Sequence, residues 1–259
     1  MPKRFRFFIA SAASAVGLLF LLSLPFEWRY VALGALSLGI IILSWFAEGV
    51  WKESWMVRIM ISVLPVLFFG GYSLFLMLLP FSVELGIFVS LLLAFIFYIV
   101  YLVENIFLVA LAFKTVPLYR AAWTVNLLLT LLASFFIFNS LWSFRFFFGI
   151  NALIAFLVGL LLFAYLYWVI SIETELRERK DVSVHVIVPA LVVGELGLVL
   201  SFWPVGIFNA SIYLVWAVFI LGSLLQVDLR ERLFRKTWIG FAWITVAVIL
   251  SLVVTTSWR

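Results

Sequence analysis

The chain has 259 residues, of which 67% are hydrophobic and 11% charged, and its mean hydropathy is +1.29. Soluble domains are roughly half apolar and a quarter charged, so this composition predicts an all-α, polytopic membrane protein. The net charge of +5 fits basic flanks of membrane spans better than a nucleic-acid surface. Because the sequence contains no cysteine, disulfides, iron–sulfur clusters and thiolate metal sites are excluded.

The apolar runs predict a transmembrane helix bundle. The gaps between them are about a dozen residues or fewer, whereas a folded domain needs about fifty or more, so we expect a single integral membrane domain over 1–259 and no soluble domain. The first run follows the basic flank MPKRFRFF, and we interpret it as a retained span because no small-residue cleavage site follows. Nine spans are predicted, with eight as the alternative, at about 8–25, 30–46, 57–79, 83–103, 121–141, 146–172, 184–203, 207–226 and 238–256.

The fourth run is longer than a bilayer requires. Apolar character continues through Glu104 and Asn105 to Phe113, about 31 residues or roughly 46 Å of helix, against a hydrocarbon core of about 30 Å. We expect the spanning helix to end near Val103, with 104–113 lying along the interface. A single, strongly tilted helix is the alternative.

The distribution of Lys and Arg predicts the orientation. With a cytoplasmic N-terminus, fourteen of the seventeen basic residues flank cytoplasmic ends, and Arg29, Arg145 and Arg259 lie on the other side. Such an excess marks the cytoplasmic face, so nine spans place the N-terminus inside and the C-terminus outside. Some of these cytoplasmic basic residues are candidate contacts for anionic lipid headgroups, namely Arg58, Arg120, Arg235 and Lys236.

Glu195 is the residue with the highest expected cost, because it lies near the middle of the seventh span. A carboxylate at that depth costs at least a few kcal/mol by insertion scales, so we expect it to face the bundle interior. Pro189, Gly194 and Gly197 in the same span loosen a helix and let neighbouring backbones approach. Two interpretations stay open: a proton, cation or substrate site on a broken helix, or a carboxyl that joins two helices through one hydrogen bond.

Other polar residues within or beside the spans are weaker candidates. Glu104 and Asn105 lie at the predicted cytoplasmic end of span four, where an interfacial ion pair with Lys114 or Arg120 is the alternative to a functional role. Asn126 and Asn151 are expected to make interhelical hydrogen bonds, and Glu48 is expected in a surface ion pair. The candidate buried polar site therefore comprises Glu195, Glu104, Asn105 and Asn126.

Missing residue types narrow the enzyme classes. Asp181 and Asp228 are the two aspartates and lie in predicted loops, so an Asp-rich magnesium site cannot be assembled. His185 is the single histidine, which excludes multi-histidine iron centres. The sequence contains no P-loop, nucleophile turn or other recognised catalytic arrangement. We therefore expect no cofactor and no metal, and an enzyme is the less favoured class.

Three segments carry a resemblance to a group of known sequences. They read ENIFLVALAFKTVPLYRAAWTVNLLLTLLASFFIFNSLW at 104–142, SFWP at 201–204 and ERLFRKT at 231–237. Together they resemble multi-span membrane proteins of candidate-phyla bacteria that form a domain family of unknown function. The resemblance implies a bacterial cytoplasmic membrane location, and it implies no activity and no site residues.

Three functions are compatible with the sequence. A non-catalytic membrane scaffold or assembly partner fits the lack of a catalytic arrangement and is expected to tolerate Glu195→Gln. A small-solute or proton-coupled transporter fits Glu195 in a broken span. A lipid-handling enzyme requires Glu104, Arg120 and Arg58 to converge at the cytoplasmic interface. The lipid bilayer is the one partner that the sequence identifies, and protein partners stay open.

Overall fold

The computed structural model describes residues 2–80, 82–113, 118–173, 182–230 and 235–256, and only the backbone of 235–238. Within these residues the prediction of an all-α polytopic fold is confirmed, because they form nine α-helices and one short 3₁₀ helix, Val50–Lys52. Eight of the helices are long and apolar enough to cross a membrane. The helices are α1 Lys3–Ser23, α2 Phe26–Glu48, α3 Trp55–Met77, α4 Val83–Phe113, α5 Tyr119–Ser143, α6 Phe148–Glu173, α7 Val182–Phe202, α8 Ile207–Leu229 and α9 Arg235–Thr255.

Helix ends follow local chemistry. Pro25 has an extended backbone at the start of α2, where its missing N–H removes one of the unsatisfied donors of a helix N-terminus. Gly49 ends α2 in the left-handed conformation, with φ of 72°, which glycine adopts without steric cost. Ser54 begins α3 and its hydroxyl accepts a hydrogen bond from the backbone N–H of Val57 at 3.4 Å.

The described contacts divide the chain into two compact units, Met1–Ala133 and Ser134–Arg259, with the boundary inside α5. In the first unit α1 packs against α2 and α4, and α3 packs against α2 and α4. An aromatic core joins them. The ring centre of Phe97 lies 6.2 Å from that of Phe68 and 5.9 Å from that of Tyr101, both in edge-to-face geometry. Phe7 stacks on Tyr101, with 6.2 Å between the ring centres.

The expected end of the fourth span near Val103 is wrong, because α4 runs unbroken for 31 residues. The reason lies in the packing beyond that point. Glu104 and Phe107 are fully buried and Ala110 is 2% exposed. Protein contacts thus continue past the polar residues, and the ring of Phe107 meets Tyr119 at 5.6 Å. Because neighbouring helices cover the polar residues of α4, these residues avoid the cost of exposure to lipid without the helix ending at the membrane surface.

In the second unit α6 and α7 pack together through small residues. A Cβ on Gly159 would lie 3.2 Å from the Cα of Ala190, and a Cβ on Gly197 would lie 3.0 Å from the Cβ of Ala155. Small residues permit such close approach between membrane helices. The expectation that Gly194 and Gly197 bring backbones close is thereby confirmed, with Ala190 one turn earlier on the same face.

The predicted break in the seventh span is wrong, because α7 is one continuous helix from Val182 to Phe202. Pro189 lies inside it and is buried. A proline within a membrane helix removes one backbone hydrogen bond, and neighbouring helices compensate for that loss. Here Pro189 belongs to the same buried face as Ala190 and Gly194, so packing stabilises the helix at the point where the sequence weakens it.

The α6–α7 contact predicts the effect of adding one methyl group. A Cβ at Gly194 would lie 2.9 Å from the Cβ of Phe156 and 3.3 Å from the carbonyl oxygen of Ala152. Gly194→Ala should therefore destabilise the protein by about 1–3 kcal/mol through overpacking, measured as a lower midpoint of thermal unfolding in detergent. Gly240→Ala is the control, because nothing lies within 4 Å of its Cβ position, and an equal midpoint in the two variants would contradict the contact.

Candidate functional site

A cavity of about 450 Å³ in the first unit brings acidic and basic side chains together. It lies where the first turn of α1, the end of α2 and the last turns of α4 meet. The charged residues that line it are Lys3, Arg6, Glu48 and Glu53, and the rest of the lining is Gly49, Val50, Leu108, Val109, Leu111, Ala112 and Phe113. One wall of the cavity is thus charged and the other, formed by α4, is apolar.

Glu48 is the most deeply placed charged residue of the cavity lining. Its side chain is 3% exposed, and neither carboxylate oxygen has a hydrogen-bond partner within the described part of the chain. The surface ion pair expected for Glu48 is therefore wrong. The cause is α1, which packs on α2 and covers the last turn of α2, where hydropathy alone indicates only a helix end.

Arg6 lies against the backbone at the C-terminal end of α2. A Cβ on Gly49 would lie 2.7 Å and 3.1 Å from the two terminal guanidinium nitrogens. A cation is favoured there, because the C-terminal end of a helix carries partial negative charge. Gly49 therefore has two functions, since it adopts a positive φ of 72° and leaves room for the guanidinium.

Two predicted site residues adjoin this cavity. The ammonium of Lys3 donates to the amide oxygen of Asn105 at 2.9 Å. Glu104 is fully buried and lies close enough to Glu48 for electrostatic repulsion between the two carboxyl groups. The basic side chains of Lys3 and Arg6 attract the carboxyl group of Glu48. Glu104 and Asn105 thus belong with α1 and α2, and Lys114, their expected partner, lies outside the described residues.

Asn126 is also fully buried, in α5. The companion prediction for Asn151 is confirmed, because its amide nitrogen lies 3.2 Å from the hydroxyl of Ser201 and joins α6 to α7. An amide–hydroxyl bond between helices is the role that such residues commonly take in membranes.

Of the four predicted headgroup residues, the structure describes the side chains of Arg58 and Arg120. The guanidinium of Arg58 lies 5.1 Å from the ring centre of Trp55 and 5.7 Å from that of Trp45, a cation–π arrangement within the same helix pair. Arg120 is exposed at the start of α5. The side chains of Arg235 and Lys236 lie outside the described part of the chain.

Glu195 is exposed in α7, so the prediction that it faces the bundle interior is wrong. The helix period explains this. Ala190, Gly194 and Gly197 lie on the face that packs against α6, and one residue along an α-helix turns by about 100°. Glu195 therefore points away from the small-residue face, although it is next to Gly194 in the sequence.

The residues around Glu195 on the same face are apolar and exposed. They recur with alternating spacings of three and four residues, the period of a coiled-coil seam. The seam consists of Val184, Val188, Leu191, Glu195, Leu198 and Phe202, all of them exposed. We call this set the α7 seam.

A second polar cluster joins the ends of α6, α7 and α8. The imidazole nitrogen Nε2 of His185 lies 2.9 Å from the carboxylate of Asp228, and the guanidinium of Arg230 pairs with Glu173. The expected loop position of Asp228 is wrong, because Asp228 lies in the last turn of α8. His185 and Asp228 are 43 positions apart in the sequence. Their pairing depends on the packing of α7 against α8, so the sequence alone does not predict it.

No group of three or more His, Asp or Glu side chains suited to a metal ion occurs among the described residues. The fold and these sites define a multi-pass helical membrane protein. A scan of protein-family models, a search of curated proteins and a search of solved structures find no match to the chain.

Proposed function

We propose that the protein is a non-catalytic membrane scaffold that assembles with a second copy of itself through the α7 seam. The observation that carries this proposal is the exposed carboxyl of Glu195 on the otherwise apolar α7 seam of a helix long enough to cross a membrane. A charged residue facing acyl chains costs at least a few kcal/mol by insertion scales. A partner helix that offers a hydrogen bond removes much of that cost.

The spacing of the seam favours a second copy as the partner. Val188, Glu195 and Phe202 occupy a positions of a heptad, and Val184, Leu191 and Leu198 occupy d positions. Two parallel helices related by a twofold axis bring each a residue against its own copy, and a single polar a residue fixes the register. Two chains with the same membrane orientation are parallel, so Glu195 would meet Glu195 and the two side chains would lie within reach of an interhelical hydrogen bond.

The energetics support the same interpretation. Lipid tails are as apolar as leucine, so apolar side chains alone supply little drive for association within a membrane. One interhelical hydrogen bond contributes about 0.6–2 kcal/mol. Glu195 is therefore the residue of the seam on which assembly depends most, and Leu191 and Leu198 shape the contact around it.

The other two functions have less support. A transporter that uses Glu195 was favoured by a broken seventh span, and α7 is continuous with Glu195 on its outer face. A lipid-handling enzyme requires Glu104, Arg120 and Arg58 together. Arg58 instead lies on Trp45 and Trp55, and none of the three lines the cavity near Glu48.

We further propose that the protein resides in the cytoplasmic membrane of a bacterium with its N-terminus inside. The support is the excess of Lys and Arg at the ends of spans assigned to that side. The resemblance to proteins of candidate-phyla bacteria stays a prediction.

The absence of native cysteine makes the seam directly testable by disulfide cross-linking in native membranes. Leu191→Cys and Leu198→Cys flank Glu195 within the seam and should give a cross-linked dimer on oxidation. Adding Glu195→Leu should lower the yield severalfold, whereas adding Glu195→Gln should preserve it, because an amide still hydrogen-bonds across the interface. Leu196→Cys, exposed but outside the seam, is the control, and cross-linking there as strong as at Leu191 would argue against the proposed face.

Orientation has a matched pair of reporters in two serines that begin helices. The hydroxyl of Ser54 accepts a hydrogen bond from the backbone N–H of Val57, and that of Ser82 accepts one from Leu85. Ser54 directly precedes α3, and Ser82 directly precedes α4, so the two serines lie at opposite ends of the span formed by α3. Ser82→Cys should react with an impermeant maleimide in intact spheroplasts, and Ser54→Cys should react only after lysis. The reverse pattern would invert the proposed threading.

A further inference from the structure

Two residues that line the cavity of the first unit carry buried polar atoms with unmet hydrogen bonds among the described residues. Glu48 is 3% exposed and its carboxylate oxygens have no hydrogen-bond partner among the described residues. The Nε atom of Arg6 is buried and likewise without a partner there. A buried polar group that makes no hydrogen bond is costly. These two groups therefore indicate a ligand that offers a donor to Glu48 and an acceptor to Arg6.

The charges of the cavity specify the ligand further. Lys3 and Arg6 are cationic, and Glu48 and Glu53 are acidic. Lys3 uses one donor on Asn105 and its ammonium has two more. Arg and Lys are the usual partners of phosphate oxygens, and a carboxylate is the usual partner of an ammonium. A ligand with a phosphate and an ammonium close together satisfies both the basic and the acidic side chains of the cavity.

The opposite wall indicates that the ligand is an amphiphile. Leu108, Leu111 and Phe113 of α4 line the cavity, and Leu111 and Phe113 are 42% and 73% exposed. These side chains belong to the last two turns of a helix long and apolar enough to span a membrane. Acyl chains that leave the charged wall thus have an apolar surface to follow toward the bilayer.

We propose that this cavity binds the headgroup of a phospholipid that carries a primary ammonium, such as phosphatidylethanolamine. The ammonium donates to Glu48, and the phosphate accepts from Arg6 and Lys3. This site differs from the predicted anionic-lipid contacts at Arg58, Arg120, Arg235 and Lys236 in its residues and in its ligand, and it does not depend on assembly through the α7 seam.

Native mass spectrometry of the full chain, released from nanodiscs that contain equal amounts of two lipids with identical acyl chains, tests this proposal. Phosphatidylcholine is the matched competitor, because its quaternary ammonium has no N–H to donate. The protein should retain phosphatidylethanolamine about tenfold over phosphatidylcholine, as expected for one hydrogen bond to a charged group. A retention ratio near one in the unsubstituted protein would overturn the proposal without any variant.

Two substitutions on α2 locate the effect. Glu48→Gln should reduce the ratio severalfold, because its amide oxygen accepts from the ammonium without the negative charge, while Glu27→Gln, the same chemical change at the exposed other end of the helix, should leave the ratio unchanged. Retention of the preference in Glu48→Gln, or its equal loss in Glu27→Gln, would assign lipid selection to another part of the protein. In a second set of nanodiscs that contains phosphatidylethanolamine and phosphatidylglycerol with identical acyl chains, a preference for phosphatidylglycerol would mean a site for anionic lipids and would also contradict the role of Glu48.

Discussion

A carboxyl group at membrane depth must have a partner, and this constraint organises the polar residues of the protein. In the first unit Glu104 is fully buried, and Glu48 lies near Lys3 and Arg6 but its carboxylate oxygens accept no hydrogen bond from the described residues. In the second unit Glu195 lies on the outer face of α7, away from the α6 contact. The same chemistry therefore indicates an internal lipid-headgroup site in one unit and an intermolecular contact in the other.

The close packing of α6 and α7 determines which way Glu195 points. At Gly159, Gly194 and Gly197 the neighbouring atoms lie within 2.9–3.2 Å of the position that a Cβ would occupy. A helix held this closely along one face cannot rotate without losing those contacts. The α7 seam is thus fixed on the opposite side, so the contact between α6 and α7 and the proposed contact between two chains are consequences of one helix orientation.

Within the described residues, hydropathy predicted the order of the helices because a bilayer requires long apolar runs, and eight of the nine predicted spans are helices long enough to cross it. It did not predict the helix faces, because core residues and lipid-facing residues of a membrane helix are equally apolar. The signal that was available in α7 is the small-residue face at Ala190, Gly194 and Gly197, which places Glu195 outside. Glu48 and the length of α4 were not predictable in this way, since both depend on α1 packing over residues distant in sequence.

The association equilibrium in lipid tests the central claim most directly. Singly labelled protein can be diluted into large liposomes over a range of protein-to-lipid ratios, and the bleaching steps counted in single vesicles. The account predicts dimers in the unsubstituted protein. In Glu195→Leu, the protein-to-lipid ratio at which half of the protein is dimeric should rise about tenfold, as a loss of about 1.4 kcal/mol of association free energy requires. Monomers at every density, or equal midpoints for the two proteins, would contradict it.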